Sequence, residues 1–391
     1  MSVNGSKNEF ADKVALLCFE KFNNLPSKGK PILGKEWTTL SGIVQSDDEN
    51  RLMVVSLATG TKCIGKSKLS SRGTVVNDSH AEVLARRGLV HYILGQIKLA
   101  RHHDVETIFD VSSPNCRLTL KPGIKFHFFS SQMPCGDASI FPKNEDCRKR
   151  SADTDIGSKV KKQKVDDIHR TGAKCLLEET KQDLNLPGPA YHTVGAVRTK
   201  PGRGDPTLSM SCSDKILRWN HIGVQGAMLS LLIDPVYLST MVISGQCPYS
   251  HTALHRAVVG RLNTPGKTYP SLLRSSLNFQ DSKHSNPLSK PCPSSVLWRI
   301  GDEFNNDGYH EVLVDGRKQG VTKKTMDKPS SASVVCKKSL FDTFKSFNEK
   351  YSSMTYQAVK SEATAYKQQW DEKTQQLGCW TEKSKSLIEF T

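Results

Sequence analysis

Long apolar stretches are missing from this 391-residue sequence, and so is a leader-like start. A helix that spans a bilayer needs about 20 consecutive apolar residues, and no run approaches that length. The first residues, MSVNGSKNEF, lack the apolar centre of a secretory signal peptide. We therefore expect no membrane span and a reducing intracellular location, either the nucleus or the cytoplasm.

Closely spaced cysteine pairs are missing too. The 11 cysteines are odd in number and scattered along the chain, and no two of them form a Cys-x-x-Cys pair. A disulfide framework needs an oxidising compartment and a local zinc knuckle needs paired cysteines, so neither is indicated. We expect most of these thiols to be reduced and buried, which leaves a subset free to bind a metal ion.

Acidic residues are scarce relative to basic ones. The chain has 39 Asp and Glu residues against 55 Lys and Arg residues, which gives a net charge of +16. An excess of this size indicates a polyanionic partner, with nucleic acid ahead of a membrane surface. A surface that is merely charged for solubility is the alternative, and composition alone leaves it open.

The apolar pattern that is present predicts an α/β protein. Residues 8–23 have the spacing of an amphipathic helix, and residues 80–100 predict a longer one. Residues 36–45 and 51–60 flank a polar turn, as the strands of a hairpin do, and 125–131 predict a buried strand. The order β-β-α-β-α favours an α/β sandwich around a mixed sheet.

Polar stretches interrupt this pattern. Residues 143–167 contain one isoleucine, two valines and no aromatic residue, so we expect a disordered insert within a single domain of residues 1–391. Its basic clusters, 148–150 and 159–164, form either a nuclear-localisation signal or a solvated linker. Residues 278–295 predict a long loop, after which the C-terminal part is helical again.

The stretch NDSHAEVLARRG, residues 77–88, supports two interpretations. Ser79 and Glu82 have the spacing of a capping box that closes the N-terminus of a helix. His80 and Glu82 also form the His-x-Glu half of the zinc-deaminase signature, in which the histidine binds metal and the glutamate carries protons. These two residues are about 200° apart on a regular helix, so both border one pocket only if His80 lies at the first turn.

The thiolates that such a site needs have two candidate sources. Cys135 follows the predicted strand in the sequence QMPCGD, and we expect Pro134 and Cys135 to begin a helix whose N-terminus lowers the thiol pKa. The common deaminase pattern has a second cysteine three residues later, but position 138 is alanine. Cys212, in the polar sequence SCSDK, stands out among the remaining cysteines. Spacing alone leaves open the alternative of a capping Glu82 and two structural thiols.

Together these motifs resemble the adenosine deaminases acting on RNA. The matching stretches are residues 77–82, 133–137 and 211–226. KPGRGD at 200–205 and HRTGAKC at 169–175 are similar to the branch that converts the adenosine next to the anticodon of alanine tRNA to inosine. The resemblance extends from about residue 36 to about residue 385. It implies a cytidine-deaminase-like three-layer sandwich with a mixed sheet and an extended helical C-terminal part.

The resemblance also implies the roles of the central residues. One zinc ion per chain is held by His80, Cys135 and Cys212, and Glu82 is the catalytic residue that carries protons. The implied reaction is hydrolytic, because water replaces the 6-amino group of adenosine and ammonia leaves. In this family the catalytic interpretation of Glu82 is therefore preferred over the capping one.

Substrate contacts follow from the same resemblance. Thr61 and Lys62 line the mouth of the pocket, where Lys62 meets a phosphate, and Arg203 contacts nucleotides of the RNA. The double-stranded-RNA editors carry Gly-Glu-Gly where this chain has Gly-Arg-Gly at 202–204. A looped tRNA substrate is favoured over insertion into a duplex, because a loop is already partly unstacked.

Basic residues recur beside aromatic ones at apolar positions of these motifs. Unpaired charges inside an apolar helix are costly, so an enclosed anion is favoured over a solvated face. The resemblance implies inositol hexakisphosphate in the core, and its ligands fall on Arg86, Arg87, Lys215, Arg218, Trp219, Lys337, Tyr356, Lys360, Trp380 and Lys383. Lys367 belongs to the same basic set, whereas Trp370 stands where a ligand lysine is expected. Lys215, three residues after Cys212, is the expected link to the zinc site.

Other functions compete with deamination of adenosine in tRNA. One is RNA binding without catalysis, against which the presence of Glu82 argues. Another is cytidine deamination, which uses the same zinc chemistry, and a third is deamination of adenosine in double-stranded RNA. The expected partner is tRNA, with no membrane and no obligate protein partner.

Overall fold

The computed structural model describes most of the chain. The described residues are 3–101, 106–110, 117–145, 167–176, 188, 192–202, 204–285, 287–301 and 308–391. Residues 146–166 of the predicted insert lie outside them, together with both predicted basic clusters and Arg203. In the part that is described, no helix is both long enough and apolar enough to cross a membrane.

Helices form where the apolar periodicity predicts them. Their bounds are α1 Val3–Asn24, α2 Ala81–Ala100, α3 Cys212–Ile222, α4 His251–His255, α5 Lys337–Lys345, α6 Tyr356–Glu362 and α7 Thr364–Leu377. The predicted helices at 8–23 and 80–100 are confirmed as α1 and α2. The helical C-terminal part is confirmed as α5, α6 and α7, with a break at Ala363, where ψ is 58°.

Strands of the described residues are mostly short outside the central sheet. Their bounds are β1 Glu36–Trp37, β2 Leu40–Ser46, β3 Leu52–Thr59, β4 Thr61–Cys63, β5 Asp78–His80, β6 Phe109–Asp110, β7 Thr119–Leu120, β8 Lys125–Ser130, β9 Phe141–Pro142, β10 Ile168–His169, β11 Lys174–Cys175, β12 Arg198–Thr199, β13 Leu238–Ile243, β14 Ser271–Arg274, β15 Lys290–Pro291, β16 Ser295–Arg299, β17 Tyr309–Val314 and β18 Arg317–Lys318.

The central sheet is mixed, as predicted. Its order is β14-β13-β8-β2-β3-β16-β17-β18. The pairs β14–β13 and β13–β8 are parallel, whereas the other neighbours are antiparallel. The predicted hairpin is the β2–β3 pair, and the predicted buried strand at 125–131 is β8, in the interior of the sheet.

Helices cover both faces of this sheet. Successive residues of a strand point to opposite faces, and the two apolar clusters divide accordingly. On β2, Ile43 packs in the cluster that contains α2, whereas Val44 packs in the cluster that contains α1; Phe128 and Phe129 of β8 divide in the same way. The three-layer sandwich is therefore confirmed. That residues 1–391 form a single domain stays a prediction.

A glycine lets α2 lie close to the sheet. A Cβ atom at position 88 would lie 2.0 Å from the hydroxyl of Ser56 on β3, a space that no side chain fits. Gly88 therefore permits the contact between α2 and β3. The contact holds α2, whose first turn carries Glu82, against the sheet.

The predicted helix at Pro134 and Cys135 is wrong. The chain after β8 continues as a loop, and among these residues only Asp137–Ser139 form a single 3₁₀ turn. Gly136 has a φ of 99°, which lies in the left-handed region that favours glycine and is incompatible with a continuing helix. The loop lies against the start of α3, where the Cys212 amide faces the Cys135 thiol.

Candidate active site and anion cavity

A two-stranded ribbon and the start of α2 position His80 and Glu82. β4 pairs with β5 so that Thr61 lies opposite His80 and Lys62 opposite Ser79. His80 ends β5 in an extended conformation and serves as the N-cap residue of α2, and Glu82 lies in the first turn. The helix thus begins between the two residues, which allows both side chains to border one pocket.

Glu82 does not cap its helix. The N-terminus of α2 has no side-chain cap hydrogen bond. The Glu82 side chain is buried, and its Oε2 has no hydrogen-bond partner. A buried carboxylate oxygen without a hydrogen-bond partner is destabilising, so its presence indicates a functional role rather than a structural one. The capping-box interpretation is excluded by this geometry.

The two predicted cysteine ligands meet at the N-terminus of α3. The Cys212 amide donates to the Cys135 Sγ at 3.3 Å, and the Ser213 amide donates to the Cys135 carbonyl at 3.0 Å. A hydrogen bond with the Cys212 thiol lowers the pKa of Cys135 to about 6, and the positive charge of Lys200 acts in the same direction. A helix N-terminus does therefore face the Cys135 thiol, but it belongs to α3.

A metal ion fits the chemistry of this group. Two thiols and an imidazole are the ligands that zinc prefers. The Asp78 Oδ1 lies 2.8 Å from the His80 Nδ1, which leaves Nε2 as the ring's donor atom for a metal. Within the described ranges, however, no three His, Cys, Asp or Glu side chains have the arrangement of a metal site. The set of His80, Cys135 and Cys212 therefore stays a prediction.

Asp78 joins the thiols to a cluster of basic residues. Its Oδ2 accepts a hydrogen bond from the Lys200 Nζ at 2.7 Å and another from the Lys215 Nζ. The Lys200 Nζ also lies 3.1 Å from the Cys212 Sγ. Lys215 is therefore connected to the Cys212 thiol through Asp78 and Lys200, whereas its link to a zinc site stays a prediction.

Sequence reasoning assigned no role to Asp78 or Lys200. Asp78 lies two residues before His80 on β5, so both side chains point to the same face of the strand. That alternation was the available signal for Asp78. Lys200 gave none, because its contacts with Asp78 and Cys212 span 122 and 12 residues of sequence.

Burial and charge act against each other in this network. Burial raises the pKa of Asp78, but the neighbouring Lys200 and Lys215 outweigh it and hold the pKa well below its usual range. Burial lowers the pKa of Lys200, but Asp78 and the thiols outweigh it, so that pKa lies well above its usual range. Asp78 and Lys200 are therefore both charged in the interior.

Asp78 also lines a cavity of about 430 Å³. All ten residues predicted to bind inositol hexakisphosphate line it: Arg86, Arg87, Lys215, Arg218, Trp219, Lys337, Tyr356, Lys360, Trp380 and Lys383. Seven of these are cationic, and Asp78 is the one carboxylate among the described lining residues. Lys367 was expected with them, but it is exposed on α7 and does not line the cavity.

Burial disfavours the charged form of several residues that line the cavity. Burial lowers the pKa of Lys383 well below its usual range, and Lys337 and Lys215 add to the effect. Burial also lowers the pKa of Lys337, and it lowers that of Arg86 to about 10. Each shift means that the cationic form is disfavoured. An anion enclosed here would remove that penalty, because it would pair with several of these charges at once.

Arg218 is held by aromatic rings. Its guanidinium lies 4.3 Å from the ring centre of Trp370 and 5.5 Å from that of Tyr366. Trp370 also packs edge-on against Trp380. Trp370, which stands where the resemblance predicts a lysine, therefore contacts a cation that lines the cavity.

The predicted substrate contacts are only partly described. Thr61 lies across the ribbon from His80, and its hydroxyl is buried without a hydrogen-bond partner. Lys62 lies beside it on β4. Arg203 is outside the described residues; two residues later in sequence, Asp205 accepts hydrogen bonds from the amide and the hydroxyl of Ser67.

Comparisons with known proteins agree with this geometry. The model of the adenosine-deaminase (editase) domain matches residues 56–384. A tRNA-specific adenosine deaminase 1 from Drosophila melanogaster is 37% identical, with 98% of each chain covered. The Homo sapiens protein of that description is 32% identical and covers 95% of this chain and 97% of its own length.

A second group of relatives matches over one part of their length. A double-stranded RNA-specific adenosine deaminase from Mus musculus is 31% identical over 87% of this chain, but this covers 28% of the relative. The chain is thus similar to the first group from end to end and to the second over one region of a longer protein.

Proposed function

Because the chain belongs to the adenosine-deaminase (editase) domain family, we propose that it converts adenosine in tRNA to inosine by hydrolysis. The tRNA-specific relatives support this choice of substrate, since they match nearly the full length of the chain. The net charge of +16 suits a polyanionic substrate. The adenosine next to the anticodon of alanine tRNA is the target that we propose to test first.

One observation carries the catalytic proposal: the buried Glu82 carboxylate has an oxygen without a hydrogen-bond partner. The neighbouring groups are the two thiols and the His80 imidazole. They are close enough that Glu82 raises the pKa of Cys135 and His80 lowers it. A fold would not retain an unpaired carboxylate there for stability. A base that must take up and release protons needs such a free oxygen.

We propose zinc as the metal, held by His80, Cys135 and Cys212. When bound, zinc supplies a Lewis acid that makes water a nucleophile near neutral pH. The chain's own residues do the rest. Asp78 orients the His80 ring, and Lys200 holds the Cys212 sulfur in place.

The proton inventory assigns Glu82 its role. Water adds to C6 of the purine, and Glu82 carries the first proton that water loses to the ring nitrogen. Glu82 then carries the second proton, from the hydroxyl now on C6, to the amino group, so that the C6–N bond breaks, ammonia leaves and C6 keeps the oxygen as a carbonyl. Thr61 lies next to His80 and borders the same pocket. Its hydroxyl is available to form a hydrogen bond with the adenine base of the substrate.

The test is the substitution Glu82→Gln, which keeps the size of the side chain but removes the proton carrier. We expect inosine formation in alanine tRNA to fall by at least about 100-fold, the lower range for general acid–base catalysis. Binding of tRNA and zinc content should stay at wild-type levels. Glu9→Gln, at an exposed position on α1, is the matched control.

Several outcomes would contradict this proposal. Unchanged turnover in Glu82→Gln would remove the catalytic role. Wild-type protein that converts cytidine to uridine would instead be a cytidine deaminase. Wild-type protein that deaminates adenosine only in duplex RNA would have the wrong substrate class, and protein that binds tRNA without any reaction would be an RNA-binding protein.

We also propose that inositol hexakisphosphate occupies the cavity. Seven cationic side chains and the Arg218 Nε, which is buried without a hydrogen-bond partner, favour an anion with several phosphates. Charge-assisted hydrogen bonds to phosphate would satisfy these donors. Lys215 would lie between the phosphates and Asp78, and three hydrogen bonds, Lys215–Asp78, Asp78–Lys200 and Lys200–Cys212, would connect it to the active site.

A further inference from the structure

Five residues directly after α4 form a π-helical turn, Arg256–Gly260. Turns of this kind are rare in proteins and are frequently found at functional sites. The turn packs against α3, where the Asn220 Nδ2 donates to the Val258 carbonyl at 2.9 Å and the His221 Nε2 lies 3.1 Å from the Val259 carbonyl. The π turn is therefore in direct contact with α3, the helix that begins with Cys212.

The arginine at the start of this turn holds the Cys135 loop. The Arg256 Nε donates to the Asp137 Oδ2 at 2.9 Å, and its Nη2 donates to the carbonyls of Asp137 and Ile140. The Asp137 side chain is fully buried, and its other oxygen accepts from the Gly195 amide at 2.6 Å. Asp137 lies two residues after Cys135, so this contact fixes the loop on which the thiol sits.

The arginine that follows the turn holds the start of α3. The Arg261 Nη1 donates to the Asp214 Oδ1 at 2.6 Å, and both side chains are buried. The other Asp214 oxygen accepts from the Ser211 hydroxyl and the Arg198 amide. Asp214 lies two residues after Cys212, just as Asp137 lies two residues after Cys135.

The π-helical hydrogen-bond pattern explains how one turn serves both cysteines. On an α-helix, side chains five residues apart are separated by about 140° around the axis. In a π-helix the i to i+5 hydrogen bond brings such residues onto the same side. Arg256 and Arg261 are five residues apart, so the π turn lets them reach Asp137 and Asp214 from one short segment.

We propose that this π turn is a brace that sets the separation of the Cys135 and Cys212 thiols. Arg256 and Arg261 are positioning residues, since each acts through an aspartate on the backbone that carries one cysteine. The inference rests on the proposed metal site and adds what keeps its two thiolates at the right distance. Groups that orient metal ligands commonly account for about 10- to 100-fold in metal affinity.

Metal binding by full-length variants tests this brace. We expect Arg256→Gln and Arg261→Gln each to raise the zinc dissociation constant by about tenfold or more. With Co²⁺ in place of zinc, the ligand-field and thiolate charge-transfer bands of both variants should differ from those of the wild type. Arg274→Gln is the matched control, because Arg274 is partly buried but donates to the Gly245 carbonyl and stacks near Tyr249, away from the cysteines.

The Co²⁺ spectrum separates positioning from general stability. A merely structural arginine would lower the unfolding temperature and leave the spectrum of the folded fraction unchanged, and that result would overturn the proposal. Where a glutamine variant does not fold, the Arg→Lys variant, which keeps the charge but not the forked geometry, carries the same expectation. Wild-type protein that holds no metal would overturn the proposed site and this inference together. Normal wild-type binding with unaltered variants would overturn the brace alone.

Discussion

Asp78 lies where three side chains with positive or titratable nitrogen atoms converge. It contacts the imidazole of His80 and the ammonium groups of Lys200 and Lys215. Lys200 has no exposed side-chain surface, so its charge depends on this carboxylate for compensation. A buried ion pair adds little net stability, but removal of one partner leaves an uncompensated charge.

We therefore expect Asp78→Asn to destabilise the protein strongly, even though the side chain keeps its size. The predicted loss is about 3–5 kcal/mol in the free energy of unfolding, the range for breaking one partner of a buried pair. Urea denaturation followed by circular dichroism measures it. Asp315→Asn is the control, because Asp315 pairs with Lys68 at the exposed surface, where such pairs contribute about 0–1 kcal/mol. Equal losses in both variants would contradict the role given to Asp78.

His127, on the interior strand β8, makes the free energy of unfolding depend on pH. It is buried on β8, with its Nε2 3.1 Å from the Ser46 hydroxyl. Burial lowers its pKa from 6.5 to about 4, and the nearby Lys125 adds to the effect. Between these two values the unfolded chain binds the extra proton and the folded chain does not, so stability rises with pH in that window.

We expect His127 to contribute a loss of roughly 2 kcal/mol in the free energy of unfolding as the pH falls from 6.5 toward 4. His127→Gln should flatten the pH dependence of the unfolding free energy in that range. His251→Gln, at an exposed position on α4, should leave it unchanged. A wild-type slope in His127→Gln would mean that other groups determine the acid limb.

At the scale of secondary-structure elements, apolar periodicity predicted the helices and strands whose formation depends on local sequence. The amphipathic pattern of residues 8–23 and the apolar run after His80 suffice for α1 and α2, because each helix buries one face against the sheet. The β2–β3 hairpin follows from its polar turn. The expected helix at Pro134 failed because the left-handed Gly136 and the contacts of Asp137 with Arg256 bend the chain into a loop. Arg256 lies 119 residues away, which local patterns cannot report.

The candidate site divides in the same manner. Arg86 and Arg87 could be assigned to a buried anion, because charges inside an apolar helix need compensation. Lys367 was grouped with the basic set without being a predicted ligand, and it is exposed; a basic residue on a polar helix gives no local sign of which face it occupies. Asp78 and Lys200 were missed because their partners come from distant elements.

The chain between β12 and α3 is bound to the short segment after β4. The Asp205 Oδ2 accepts from the Ser67 hydroxyl at 2.5 Å and from the Ser67 amide at 3.1 Å, and the Lys66 amide donates to the Pro206 carbonyl. A Cβ atom at position 202 would lie 1.7 Å from the Asp205 carbonyl, so Gly202 and Asp205 lie close together. These contacts hold Asp205 and Pro206, which follow the predicted RNA contact Arg203 in sequence.

We expect Asp205→Ala to raise the KM for tRNA severalfold with little change in kcat, because the loop would lose its position while Glu82 and the thiols keep theirs. Ser67→Ala should have a smaller effect in the same direction, since the amide contact remains. In a double-mutant cycle the two losses should be less than additive. The exposed Asp371→Ala on α7 is the control. A fall in kcat at constant KM would contradict a role in holding substrate.

Across the whole molecule, the cavity joins segments that are far apart in sequence. Arg86 and Arg87 come from α2, Arg218 from α3 and Lys337 from α5, and Lys383 lies near the C-terminus. The C-terminal segment packs against a lining residue through Phe390, whose ring stacks on Tyr356 and whose carbonyl accepts from the Tyr356 amide. Mutual repulsion among seven cationic side chains opposes bringing these segments together, so we propose that the tertiary structure depends on a compensating anion.

The last prediction is therefore about folding. Protein made in cells that cannot synthesise inositol hexakisphosphate should be insoluble or inactive, because a ligand bound only by the folded state stabilises it by about 4 kcal/mol at 1,000 times its dissociation constant. Lys383→Gln should weaken anion retention during dialysis, measured by phosphate analysis of denatured protein. Lys367→Gln, at the exposed position on α7, should retain the wild-type amount. A soluble, fully active and phosphate-free preparation from such cells would assign the basic cavity to the RNA instead.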